Sequence, residues 1–167
     1  MSGPRNIADL TEPLAAFWWG FLAAQGRDAA TPLTDVFYFS DNEADATELA
    51  ALVLQGTKTG TASLVWMYEE RGDPVPAPGD LSIVTDWHGT PLCVMETTQV
   101  TVLAFDDVGA AFAASEGEGD LSLEYWRRVH WDYFVRECAS LGREPSRNMP
   151  VVCENFAVVH RQREKTP

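Results

Sequence analysis

Lys58 is the only lysine before Lys165, and residues 28–126 around it carry two basic side chains against 18 acidic ones. An ammonium isolated in this way can hold an anion or polarise a carbonyl. Partial burial would lower its pKa and make it a base or a nucleophile. Thr61, three residues on, offers a hydroxyl to the same pocket, as a nucleophile activated by the lysine or as a hydrogen-bond donor. The competing reading makes Thr59 or Thr61 a helix N-cap and Lys58 a solvated surface charge.

A second candidate is the loop Ser115-Glu116-Gly117-Glu118-Gly119-Asp120, whose glycine-spaced carboxylates could supply a general base or oxygen ligands for a hard cation. Its spacing is not that of an EF-hand, and negative charge ahead of a helix is favoured by the helix dipole in any case. A third is the segment that follows, where Tyr125, Trp126, Val129, Tyr133 and Phe134 mark an apolar helix face. Aromatics at that spacing read as core, Trp126 and Phe134 above all. Arg127 and Arg128 come directly after the acidic loop and could pair with its carboxylates or with a phosphate.

Other chemistries lack their motifs. The chain has no GxGxxG, Walker, HExxH, GxSxG or zinc-spaced pattern. His88, His130 and His160 are scattered, and read as a turn, a helix and a strand-end residue. Cys93, Cys138 and Cys153 sit in apolar surroundings without ligand spacing, as reduced thiols filling a core do. Cys153 beside Glu154 reads as a buried strand cysteine in preference to a nucleophile.

The elements that must carry these residues follow from periodicity and punctuation. Thr11-Glu12-Pro13 opens a helix that reaches Gln25 and stops at Gly26. Residues 36–39 form a short strand or extended entry. Ser40 and Glu43 fit a capping box for a helix to Gln55, closed by Gly56. A third helix is predicted from Ala62 to Glu70, so that Lys58 and Thr61 would lie at a junction between helix ends. Strands are expected over 81–87 and 91–103, joined at His88-Gly89, and over 151–160. A short helix is expected over 106–115, and Ser122 caps a long one to about Leu141. Helices, strands, helix, strand, without βαβ alternation, predict an α+β fold.

The 167 residues imply one domain, 1–167, and 46% hydrophobic content implies a folded one. The net charge of −13 divides unevenly: residues 1–27 sum to zero, 28–126 to −16 and 127–167 to +3. Long duplex DNA and anionic membranes are disfavoured as partners by such a field, whereas a small, locally basic cleft is not. No apolar stretch is long enough to span a bilayer and none is framed as a signal peptide, so the expected location is cytoplasmic. The aromatics of the first helix, with Trp18 and Trp19, are expected to cover the core or to form a homodimer contact.

Taken in order, Gln55-Gly56-Thr57-Lys58-Thr59-Gly60-Thr61-Ala62, then SEGEGDLSL from Ser115 to Leu123, then Tyr125-Trp126-Arg127 with His130, then Met149-Pro150-Val151-Val152-Cys153-Glu154 resemble the ASCH domain family over about residues 36–160. The resemblance implies a small, mainly antiparallel β-barrel of the PUA-like kind, flanked by helices and bearing a cleft. In this chain the barrel core would take about 36–160 and the N-terminal helix about 12–25.

ASCH domains were first proposed as RNA-binding modules. Some members look like ribonucleases, and smaller ones are similar to amidohydrolases that deacylate N4-acylated cytidine with a lysine, a threonine and a glutamate. The family's G-x-K-x-x-T falls on Gly56, Lys58 and Thr61, and its glutamate on Glu116 or Glu118. The expectation is a hydrolase of RNA or a nucleotide-sized ligand, with Lys58, Thr61, Glu116 and Glu118 as catalytic candidates. Thr59, Ser122, Arg127 and Arg128 are the substrate-binding candidates. No metal ligand is assigned, and a divalent cation is the cofactor left open. Expected partners are short RNA, a nucleoside or a nucleotide. The alternatives are the acylcytidine amidohydrolase and a non-catalytic RNA or modified-base binding module.

Overall fold

In a computed structural model, residues 7–162 are described. Ten main elements succeed one another: α1 (Glu12–Gln25), β1 (Asp35–Phe37), α2 (Glu43–Gln55), β2 (Gly60–Leu64), α3 (Val65–Arg71), β3 (Leu81–Thr85), β4 (Pro91–Ala104), α4 (Ala110–Ser115), α5 (Leu123–Ser140) and β5 (Pro150–Arg161). The fold is α+β. Its strands form one mainly antiparallel sheet in the order β1-β3-β4-β5-β2, with β1 and β3 as the parallel pair.

The chain divides into two compact units. Among the described residues, the first takes in 7–56, 79–97 and 157–162. There α1 turns Leu14, Phe17, Trp18, Phe21 and Leu22 onto Leu81 and Ile83 of β3 and Val94 of β4. Such spacing is the apolar stripe of a surface helix. Trp18 is wholly buried, whereas Trp19 is exposed. β3 pairs antiparallel with β4 from Leu81↔Glu96 to Val84↔Cys93, and Gly89 makes the left-handed turn between them.

The second unit, residues 57–78 and 98–156, carries the candidate chemistry. β2 pairs antiparallel with β5 from Gly60↔Asn155 to Leu64↔Val151. Leu64, Phe105, Ala113, Trp126, Phe134, Cys138, Val151 and Cys153 make its core. Trp126 and Phe134 are thus core residues, as their spacing predicts.

Helix ends fall where glycine permits a left-handed residue: Gly26, Gly56 and Gly72 have φ of 60°, 80° and 69°. Three expectations are corrected. The N-cap of α2 is Asn42, whose side chain accepts from Asp45 N at 3.0 Å, and Ser40 instead turns left-handed ahead of it. Residues 60–64 form an edge strand because β5 supplies the pairing, so helix α3 begins only at Val65. The helix expected over 106–115 is broken: Phe105–Asp107 is a 3-10 turn, and α4 starts after Gly109. No helix among the described residues is long and apolar enough to cross a membrane.

Candidate functional site

Lys58 lies between the end of α2 at Gly56 and the start of β2 at Gly60, at a junction of helix and strand. The segment is tied to the end of α4. Thr59 donates to the Ser115 carbonyl with its backbone N at 2.8 Å and its hydroxyl at 3.2 Å. Asn155 Nδ2 donates to Ser115 Oγ at 3.1 Å. Gly117 has φ +72°, and a Cβ there would stand 2.5 Å from the Thr57 carbonyl oxygen. Glycine at 117 therefore lets the acidic loop close onto the backbone leading to Lys58.

Glu116 and Glu118, on that loop, both reach the lysine. Lys58 Nζ donates to Glu116 Oε2 and to Glu118 Oε1, each at 2.7 Å. The other oxygen of Glu116 accepts from Trp126 Nε1 at 2.8 Å and lies 3.2 Å from His130 Nε2. Helix α5 presents both rings, one turn apart and stacked at 4.3 Å between centroids. Its start is set by Ser122, whose hydroxyl accepts from Tyr125 N at 3.0 Å. His130 Nδ1 faces the Trp126 carbonyl at 3.0 Å, so each ring nitrogen meets an acceptor.

Lys58 is only 2% exposed, which excludes a solvated surface charge. Burial alone would lower its pKa, but Glu116 and Glu118 outweigh burial by charge and hydrogen bonding and raise it above its ordinary 10.5. Lys58 is therefore a fixed ammonium, and the expectation that burial makes it a base or nucleophile is corrected. Burial likewise opposes charge on Glu116, yet Lys58 and then His130 hold its pKa well below its ordinary 4.5. Nearby, burial reinforced by Glu116 pushes the Cys153 thiol up to about 12, consistent with a packing role. Cys93 and Cys138 are buried and free as well.

Glu116, Glu118 and His130 also offer ligand atoms within 4.8 Å of one another, a donor set of the kind that holds a divalent cation. The Lys58 ammonium hydrogen-bonds both carboxylates of that set. While it does so, one positive charge already occupies the place a second would need.

Thr61 stands on β2 directly opposite Glu154 of β5. By the strand alternation it faces away from Ala62, which packs with the Trp126 core. Arg127 is half-buried and donates to the Asp106 carbonyl at 2.9 Å, in place of the loop carboxylates. Arg128 is exposed with its guanidinium 5.2 Å from the Tyr125 ring centre. Asp120 accepts from Ser122 N at 2.9 Å, and hydrogen bonds from Ser122 hold its pKa below the usual range.

Three residues go beyond the sequence reading. His130 and Trp126 are four apart on the helix that follows the acidic loop, and that spacing puts them on one face. Glu154 is buried, and its trace in the sequence is a carboxylate within an otherwise apolar strand run.

Residues 35–160 match the model of the ASCH domain. An ASCH domain from Lactobacillus crispatus, solved by crystallography, is 37% identical with a TM-score of 0.84, over 92% of this chain and 98% of that one. A crystal structure of a protein from Enterococcus faecalis is 29% identical with a TM-score of 0.83, over 91% of each chain. No curated protein matches the chain.

Proposed function

The chain belongs to the ASCH domain family, with the PUA-like fold this implies, and from that premise we propose a hydrolase that binds RNA or a nucleotide-sized ligand at Lys58, Glu116, Glu118 and His130. The observation that carries this reading is a lysine amine, 2% exposed, held at 2.7 Å by each of two carboxylates, whose charge and hydrogen bonds favour its ammonium form. In surroundings poor in water such a charge stabilises negative charge developing on a phosphoryl or carbonyl oxygen far more than it would at the surface.

The four side chains would divide the work by exposure. Glu116 is 1% exposed and its partners hold it ionised, so it orients Lys58. The Glu118 and His130 side chains keep 14% and 10% exposure, which puts the approach for a ligand on their side. Glu118 would take the proton of the attacking hydroxyl or water, and His130 would handle the proton of the leaving group. Arg127 would orient the start of helix α5 from its seat on the Asp106 carbonyl, and Thr61, on the other face of β2, takes no part at this centre. Thr59, Ser122 and Arg128 would support the segments that carry it.

The test is turnover of short single-stranded RNAs, with and without a divalent ion, by the native protein, Lys58→Ala and Glu118→Gln. The native protein is expected to cleave, and Lys58→Ala to lose about 100-fold or more, the scale of removing one charge-stabilising donor. Equal rates would remove Lys58 from the mechanism. Acetate released from N4-acetylcytidine with RNA left intact would replace this reading with the amidohydrolase. Binding without any turnover would replace it with the binding module.

A further inference from the structure

Lys58 brings one positive charge to two carboxylates, and the two differ in how firmly they are held. Both oxygens of Glu116 are engaged, one by Lys58 and the other by Trp126 and His130, on a side chain 1% exposed. Glu118 meets the ammonium from the more open side, at 14% exposure. Its backbone lies in a run where alternate residues are left-handed: Gly117 at φ 72°, Gly119 at 56° and Leu121 at 66°. Leu121 is a non-glycine in that region and is 47% exposed.

The charges define what a ligand must do. An anion brought to Lys58 with Glu118 still in place would meet two carboxylates around a single ammonium, and like charges at such range repel. An anion that replaces Glu118 meets the same balance that now exists. Glu116 cannot be the group exchanged, because Trp126 and His130 would lose their acceptor inside the protein.

We propose that Glu118 is an internal stand-in for the ligand's phosphate: a phosphate group takes its place on Lys58 while the Glu118 side chain turns outward, toward the side on which it keeps its 14% exposure. The proposal rests on the reading of this centre as one for a nucleotide-sized ligand, and narrows that ligand to one presenting a phosphate. The displaced carboxylate stays beside the bound group, where the hydrolytic step needs a base. A neutral nucleoside has no group of the charge that Glu118 gives up.

The probe is inorganic phosphate, titrated calorimetrically at constant ionic strength into the native protein and its variants. Glu118→Ala is expected to bind phosphate about tenfold or more tightly than the native protein, because a competitor that occupies the site reduces apparent affinity by the fraction of open molecules. The gain should vanish when Lys58→Met is added. It should also be absent from Asp120→Asn, which removes a charge of the same loop away from the ammonium. Glu118→Gln keeps the side chain's shape and should shift affinity in the same direction, so a poorly folded alanine variant still leaves a decision. Equal phosphate affinity in the native protein and both Glu118 variants would overturn the proposal. So would a gain that survives Lys58→Met or appears equally in Asp120→Asn. Phosphate binding is read without turnover, so the exchange can stand if hydrolysis fails, and hydrolysis can stand if the exchange fails.

Discussion

At the scale of residues, Lys58 stays charged in a setting that would neutralise a lysine left alone. Its partners Glu116 and Glu118 depend on it in turn, Glu118 the more because Glu116 is also held by Trp126 and His130, since two carboxylates facing one another without a cation repel. Lys58→Met should therefore cost about 3–5 kcal/mol in chemical denaturation, the range for breaking one side of a buried ion pair. An unchanged midpoint would mean that the cluster contributes nothing to stability. The pH dependence follows from the shifts. A raised lysine pKa gives stability that is complete below 10.5 and fades as pH rises through the higher folded value. A lowered glutamate pKa gives stability that is complete above 4.5 and fades as pH falls toward the lower folded value. Thermal midpoints of the native protein should fall at both edges, and Lys58→Met should lose the alkaline one. The sequence showed Lys58 as isolated and the loop as acidic, but the burial that sets their protonation has no local trace.

At the scale of elements, the site depends on how closely the acidic loop approaches the segment after α2. Gly117→Ala would place a methyl 2.5 Å from a backbone carbonyl oxygen at φ +72°, where neither group can step aside cheaply. It should lower stability by roughly 1–3 kcal/mol, the range for overpacking, and weaken the hold on Lys58. Gly60→Ala is the comparison: its methyl would also stand 2.5 Å from an atom, but that atom is the Ser115 hydroxyl, a side chain that can turn at the expense of its hydrogen bonds to Phe112 and Asn155. Thermal unfolding of both should show Gly117→Ala as the more damaging, and the reverse order would contradict the close approach. Glycines that end helices were legible because a left-handed residue is a local demand. Local sequence points to Ser40 as the cap in place of Asn42 because both residues can cap and their hydrogen bonds decide between them. The strand over residues 60–64 is not legible locally because Thr-Ala-Ser-Leu suits helix or strand, and its partner strand lies some ninety residues away.

At the scale of the whole molecule, the charge of −13 opposes any ligand that lays many phosphates along the surface. A ligand that places one or two phosphates on Lys58 should show log Kd changing with log salt at a slope of only about 0.7–1.4, since each single-strand phosphate contributes about 0.7. Binding of short RNA measured over a series of KCl concentrations checks this, and a slope several times steeper would contradict a small site. By itself, the sequence determined the α+β class, most helix ends, the buried cysteines, the family motifs and the two segments able to do chemistry. Each of these is written in composition, in local backbone demands or in ordered motifs. Only the tertiary structure decided that Lys58 is buried between Glu116 and Glu118, 58 and 60 residues away, and that Trp126 and His130 complete the cluster. The reason is physical: an ionised side chain takes its state from the dielectric and the charges within a few ångströms, and distant stretches of chain become neighbours only through folding.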